Sequence, residues 1–196
     1  MSSSKKTRIK RSSGPAKPIK RHRYRDVLPD LLREFDGRCA YSMQHQTRAG
    51  AMEVDHFDPR KKKDLFQAYC NLFPASRHCN GKKGDRWPNP EEAAAGCRFL
   101  NPCEETDYGE QIFEAPISHL LIGINPAAKW HIRICGLNAD HLVKERARRA
   151  QYWTLLNRKS IQVRRGPVDD VRELIRSFRT EVELMIPEIP SPPGSR

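Results

Sequence analysis

The chain has 196 residues, 36 Lys and Arg against 24 Asp and Glu, and a formal net charge of +12. Its hydrophobic fraction of 37% allows one core of modest size. No run approaches the ~18 apolar residues of a membrane span, and no apolar stretch follows the charged N-terminus, so neither a membrane partner nor a secretory signal is expected.

The charge is unevenly placed. Residues 1–25 hold ten bases and no acid, residues 26–37 carry −3, residues 38–90 carry +5, and residues 91–196 balance. An excess in one tail and one interior segment implies a polyanionic partner, in first place nucleic acid. For the tail alone, a solvated segment that keeps the chain in solution weighs equally. The six cysteines (Cys39, Cys70, Cys79, Cys97, Cys103, Cys135), without an export signal, read as reduced thiols of a cytoplasmic protein. They are either metal ligands or ordinary buried groups.

In chain order, residues 1–22 are rich in Ser, Lys, Arg and Pro and are expected to be disordered. Val27, Leu28, Leu31, Leu32 and Phe35 form one helical stripe, ended by Asp36-Gly37. Residues 38–90 are loop-rich, with a short strand at Glu53–Phe57 entering a turn at Pro59. A helix starts behind Pro90. Ile112-Phe113, Leu120 to Ile124 and the alternating Trp130–Ile134 read as a small antiparallel sheet. Two amphipathic helices follow, about Ala139 to Asn157, capped by Asn138, and about Val168 to Met185, with Val171, Leu174, Ile175, Phe178 and Val182 on one face. The four prolines of Pro187–Arg196 indicate an extended tail.

Chemistry concentrates in three strings: Cys39-Ala-Tyr-Ser42, Val54-Asp55-His56-Phe57-Asp58-Pro59, and Asn71-Leu72 running to Cys79-Asn80-Gly81-Lys82-Lys83. Adjacent Asp and His on a strand point to opposite faces unless the strand ends there. If it ends there, a carboxylate can hold a cation while the imidazole faces a water. Phosphodiester hydrolysis uses both, a cation to neutralise charge and a base of near-neutral pKa. Asn71 and Asn80 offer amide oxygens suited to Mg²⁺ or to orienting an imidazole. Lys82 and Lys83 follow where a phosphate would lie, and Arg60 and Lys61 add base to the same segment. The plain alternative for Asn80-Gly81 is a turn. His22, His119, His131 and His141 lack ligand spacing, Trp130 and Trp153 read as core, and Arg146, Arg148 and Arg149 as a solvated helix face. Glu104, Glu105 and Asp107 read as a polar loop.

Together the strings resemble the HNH endonucleases, the ββα-metal or His-Me finger nucleases, over about residues 38–86. The resemblance implies that Asp55 and Asn80 ligate one divalent ion, Mg²⁺ or Mn²⁺, that His56 activates water, that Asn71 helps fix His56, and that Lys83 contacts phosphate. Ser42 and Ser76 stand at two zinc-knuckle positions, leaving Cys39 and Cys79, and serine is a poor zinc ligand. A structural zinc is therefore not expected, and the two thiols would simply be buried. Phe99–Cys103 and Gly136-Leu137-Asn138 leading to Arg146 resemble the extension of bacterial HNH proteins of anti-phage defence and retron-associated systems. That implies a defence setting with a partner ATPase or other co-encoded protein.

The expectation is an α+β protein: a basic tail (1–22), a nuclease core with an N-terminal helix (23–90), an extension of helices and a small sheet packed on it (91–186), and a Pro-rich tail (187–196). Its activity would be metal-dependent endonucleolytic cleavage of DNA. The rivals are a catalytically silent nucleic-acid-binding subunit and a nuclease active only with its partner.

Overall fold

A computed structural model describes residues 7–16, 18–19, 23–62, 68–162 and 168–194, without the side chains of 62, 157–172 and 174. Helix α1 (Leu28–Glu34) stands behind a 3-10 turn at Tyr24–Val27. Helix α2 (Gln46–Ala49) leads to strand β1 (Met52–His56), which pairs antiparallel with β2 (Leu72–Ser76) from Met52↔Ser76 to His56↔Leu72. Helix α3 (Arg77–Lys83) leaves β2 without a linker, because Ser76 is its cap: the Ser76 hydroxyl accepts the Cys79 N–H at 3.3 Å. Gly84, at φ +50°, ends it. Then come α4 (Pro90–Ala94), strands β3 (Ile112–Glu114) and β4 (Leu121–Gly123) as a second antiparallel pair, and helices α5 (Pro126–Ile134), α6 (Asp140–Gln162) and α7 (Val168–Glu183). The class is α+β. No helix among the described residues is long and apolar enough to cross a membrane.

One core joins the two halves. Cys39, Tyr41, Ala75 and Cys79 from around the first sheet pack with Leu100, Ile112, Trp130, Leu137 and Leu142 from beyond it. A smaller cluster seats α1 on the hairpin through Val27, Leu31, Val54, Tyr69 and Leu72.

Four expectations are corrected. Residues Trp130–Ile134 are helical, not a strand. Asn125 caps α5 by accepting the Ala128 N–H at 2.8 Å, and Pro126 sits in its first turn. The apparent alternation misled because His131 is buried along with Trp130, Ile132 and Ile134. Asn138 does not cap α6. Its amide bonds both main-chain groups of Leu121, at 2.8 and 3.0 Å, closing the outer edge of β4. Arg146 and Arg149 are buried, not solvated: Arg146 donates to the His119 carbonyl at 2.7 Å and Arg149 to Glu114 at 2.7 Å.

The tails are the fourth. Arg8 grips the buried Asp107 at 3.0 and 3.1 Å, Ile9 is buried, and Arg11 pairs with Glu34 at 2.6 Å and donates to the Tyr69 and Leu72 carbonyls. At the other end Ile186 and Ile189 are buried and the Glu114 N–H donates to the Pro190 carbonyl at 2.9 Å. Both segments supply side chains or carbonyls that buried groups of the core require. Residues 1–6, 17 and 20–22, His22 included, lie outside the described residues, as do the side chains of Val171 and Leu174.

His131 supplies a test of this core. Its Nδ1 accepts the Leu100 N–H at 3.0 Å, and burial pulls the imidazole from 6.5 down to about 4. A folded-state value below the unfolded one means that stability is complete above pH 6.5 and is lost as pH falls from 6.5 toward 4. The expected slope is about 1.4 kcal/mol per pH unit. In His131→Asn, whose amide oxygen can still accept from Leu100, urea midpoints at pH 7 and pH 5 should converge. Equal acid slopes in both proteins would show that His131 is not the cause.

Candidate functional site

Strand alternation divides the motif between two faces of β1. Glu53 and Asp55 face α3. Arg77 Nε and Asn80 Nδ2 donate to Glu53 at 3.0 and 2.6 Å, and Lys83, three residues further along the helix, donates to Asp55 at 3.1 Å. Val54 and His56 face the other way. Val54 packs against α1, and the His56 ring lies 5.0 Å from the Tyr24 ring at 53°. The pairing runs through His56↔Leu72, so the strand does not end before His56, and Asp55 and His56 stay on opposite faces.

Asp55 is closed. Lys83 Nζ lies 3.1 Å from Oδ1 and 3.0 Å from Oδ2, and the Tyr41 hydroxyl donates to Oδ2. All three side chains are buried. Burial pushes the Asp55 carboxyl above its ordinary range, with Lys83 and Tyr41 pulling against it. Burial, reinforced by Asp55, drives the Tyr41 phenol far up, so it remains a donor. The expected pair of Asp55 and Asn80 is therefore not assembled for a divalent ion: both Asp55 oxygens are engaged by donors, and the Asn80 amide nitrogen is turned to Glu53. Among the described residues no group of three or more His, Cys, Asp or Glu could hold a metal ion.

Asn71 clamps the turn after β1. Its Oδ1 accepts the Asp58 N–H at 2.8 Å, its Nδ2 donates to the Asp58 carbonyl at 3.1 Å, and its own carbonyl accepts the Phe57 N–H at 2.9 Å. The amide is thus engaged two residues beyond His56, at the main chain. Of the four expected phosphate contacts, Lys82 is exposed and Lys61 stands 3.8 Å from Asp58. Arg60 is exposed too, held by Asp58 at 3.0 Å and lying over the Trp87 ring at 4.4 Å. Lys83 is the correction: it is fully buried and cannot reach a nucleic-acid backbone.

Cys39, Ser42, Ser76 and Cys79 meet in the interior. Burial alone would raise the Cys39 thiol. Hydrogen bonds from Cys79, Ser42 and the Ser76 backbone outweigh it and bring Cys39 down, while Cys79, the partner in that bond, goes up. Ser42 accepts the Gln44 N–H at 3.3 Å, so each serine holds a turn. Two thiols and two hydroxyls do not make the four N/S donors of a structural zinc.

A cavity of about 360 Å³ opens beside β1, lined among others by Tyr24, Arg25, Glu53 and Asn80. A larger groove of about 710 Å³, between Ala16, Pro18 and Ile19 on one side and α1 on the other, contains none of the motif residues. Tyr24, Tyr41 and Glu53 escaped the sequence reading. Glu53 could have been found from its i, i+2 relation to Asp55, and Tyr41 lies inside a string read only for its cysteine.

Comparison with models of protein families, with curated proteins and with solved structures finds no match.

Proposed function

We propose that the chain is an endonuclease of the HNH type acting on DNA. The observation that supports this reading most is the cavity beside β1, where Asn80 and Glu53 meet Tyr24, the ring neighbour of His56, and the cation Arg25. A phosphodiester entering there would find a positive group for its charge and an imidazole one ring away. His56 takes the proton of the attacking water, and the product carries a 5′ phosphate. Arg60, Lys61 and Lys82 add sequence-independent affinity. A divalent ion, Mg²⁺ or Mn²⁺, is the cofactor that the resemblance implies, and its ligands are not Asp55 and Asn80 as they stand here. A bacterial anti-phage setting, with a partner ATPase or other co-encoded protein, belongs to the same proposal.

A second reading, a silent nucleic-acid-binding subunit, is favoured by one observation: the carboxylate next to His56 in sequence is already neutralised by Lys83. Supercoiled plasmid decides between them. Nicked or linear product from the purified chain with Mg²⁺, and none with EDTA, is the expected result. Plasmid retarded on a gel but uncut with Mg²⁺ or Mn²⁺ would leave the second reading and remove the first, unless the co-encoded protein restores cleavage.

A further inference from the structure

We infer that Lys83 is a positioning residue: its ammonium, held by Asp55, grips the main-chain carbonyl of His56 and sets where the imidazole stands. The catalytic half of this inference rests on the nuclease reading, whereas the positional half does not.

Nζ of Lys83 lies 2.9 Å from the His56 carbonyl oxygen, 3.1 and 3.0 Å from the two Asp55 oxygens, and 5.4 Å from the centre of the Phe99 ring. An ammonium has three protons. One direction is taken by the carbonyl, one by the carboxylate, and the remaining side faces an aromatic wall. No direction opens to water, since the side chain is fully buried.

The ladder explains why that carbonyl needs a donor. In an antiparallel pair, bonded and non-bonded positions alternate. The Phe57 N–H donates to the Asn71 carbonyl, which makes 57 and 71 a bonded position and the preceding pair, His56↔Leu72, a non-bonded one. The His56 carbonyl therefore points away from β2, along the outer edge of β1. Among the described residues the first sheet has two strands, and no third strand lies beyond that edge. A buried carbonyl without a donor is costly, and Lys83 fills the role from α3.

Two devices then bracket His56. Asn71 fixes the peptide of Asp58 after it, and Lys83 fixes its own carbonyl. The peptide plane between 56 and 57 is set from both sides, and with it the direction in which the ring leaves the strand toward Tyr24. Asp55 then serves as the counter-ion of Lys83, which accounts for its closure by Tyr41.

Lys83→Met tests the inference, because methionine fills similar space without a donor. The first readout is the nuclear Overhauser contact between the His56 and Tyr24 rings, which needs no activity. The contact should be lost in folded Lys83→Met and kept in Lys82→Met. In plasmid cleavage Lys83→Met should lower kcat by about 100-fold, the scale of a small misplacement of a reacting group, with KM unchanged. The salt slope of DNA binding should stay the same in Lys83→Met and become shallower by about one in Lys82→Met.

A ring contact kept in Lys83→Met, together with a salt slope shallower by about one, would make Lys83 a phosphate contact and overturn the inference. Should Lys83→Met unfold, Asp55→Asn/Lys83→Met removes both charges and still leaves the carbonyl without its donor. Loss of the ring contact in that folded double variant supports the inference, and retention overturns it. If the parent chain cleaves nothing, the nuclease reading fails while the ring contact still decides the positional claim.

Discussion

His56→Ala is expected to lower plasmid cleavage by about 10² to 10⁴-fold, the contribution of a positioned general base, while DNA binding is retained. The reason lies in what the imidazole touches. His56 is only 5% exposed and its ring packs on Tyr24, which lines the cavity, whereas Arg60, Lys61 and Lys82 are exposed. Removing it takes away the proton acceptor and leaves the electrostatic attraction to DNA intact. Single-turnover rates on a supercoiled substrate, beside an affinity measured in EDTA, separate the two effects. Because a buried ring is lost, a thermal melt must show the variant folded at the assay temperature. Nicking at the parental rate by a preparation free of other nucleases would remove His56 from the mechanism.

The second large effect concerns stability. Arg149→Met is expected to cost about 3–5 kcal/mol, the penalty for stranding one member of a buried ion pair. Arg149 donates to both oxygens of Glu114 at 2.7 Å and to the Ile186 carbonyl at 3.2 Å, and both side chains are buried. It therefore joins α6 to β3 and to the C-terminal segment at one point. Against a total of about 5–15 kcal/mol for an ordinary domain, the loss is severe and should appear as a large fall in the urea midpoint. Pairing it with Glu114→Gln removes the abandoned charge and should recover part of the loss. His119, 2.8 Å from Glu114, keeps one contact in either case. A single variant as stable as the parent would show that water reaches Glu114 and that the pair contributes nothing.

Much of the local structure was legible because its causes are local. The stripe from Val27 to Phe35, the short strand at β1 and the two C-terminal helices follow from spacing, and the start behind Pro90 from capping within a few residues. The α5 segment was misread although Asn125-Pro126 announced it. Alternation at Trp130–Ile134 points to a strand, but the Asn125 cap and the burial of His131 beside Trp130 and Ile132 belong to a helix. Ser76 was read as a missing zinc ligand, yet a serine before a helix is itself a signal.

From its order of residues alone the chain determined which groups would lie on or beside one hairpin and the helix after it: Asp55 and His56 on β1, Asn71 at the entry to β2, Asn80 and Lys83 on α3. Only the tertiary structure decided what each does there. Whether a charged side chain ends in water or against a counter-ion depends on which distant segments cover it, and residue spacing holds no record of that. Asp55 and Phe99 enclose Lys83, and the C-terminal segment encloses Arg149, so a cation expected at a phosphate and one expected in solvent both became internal ties.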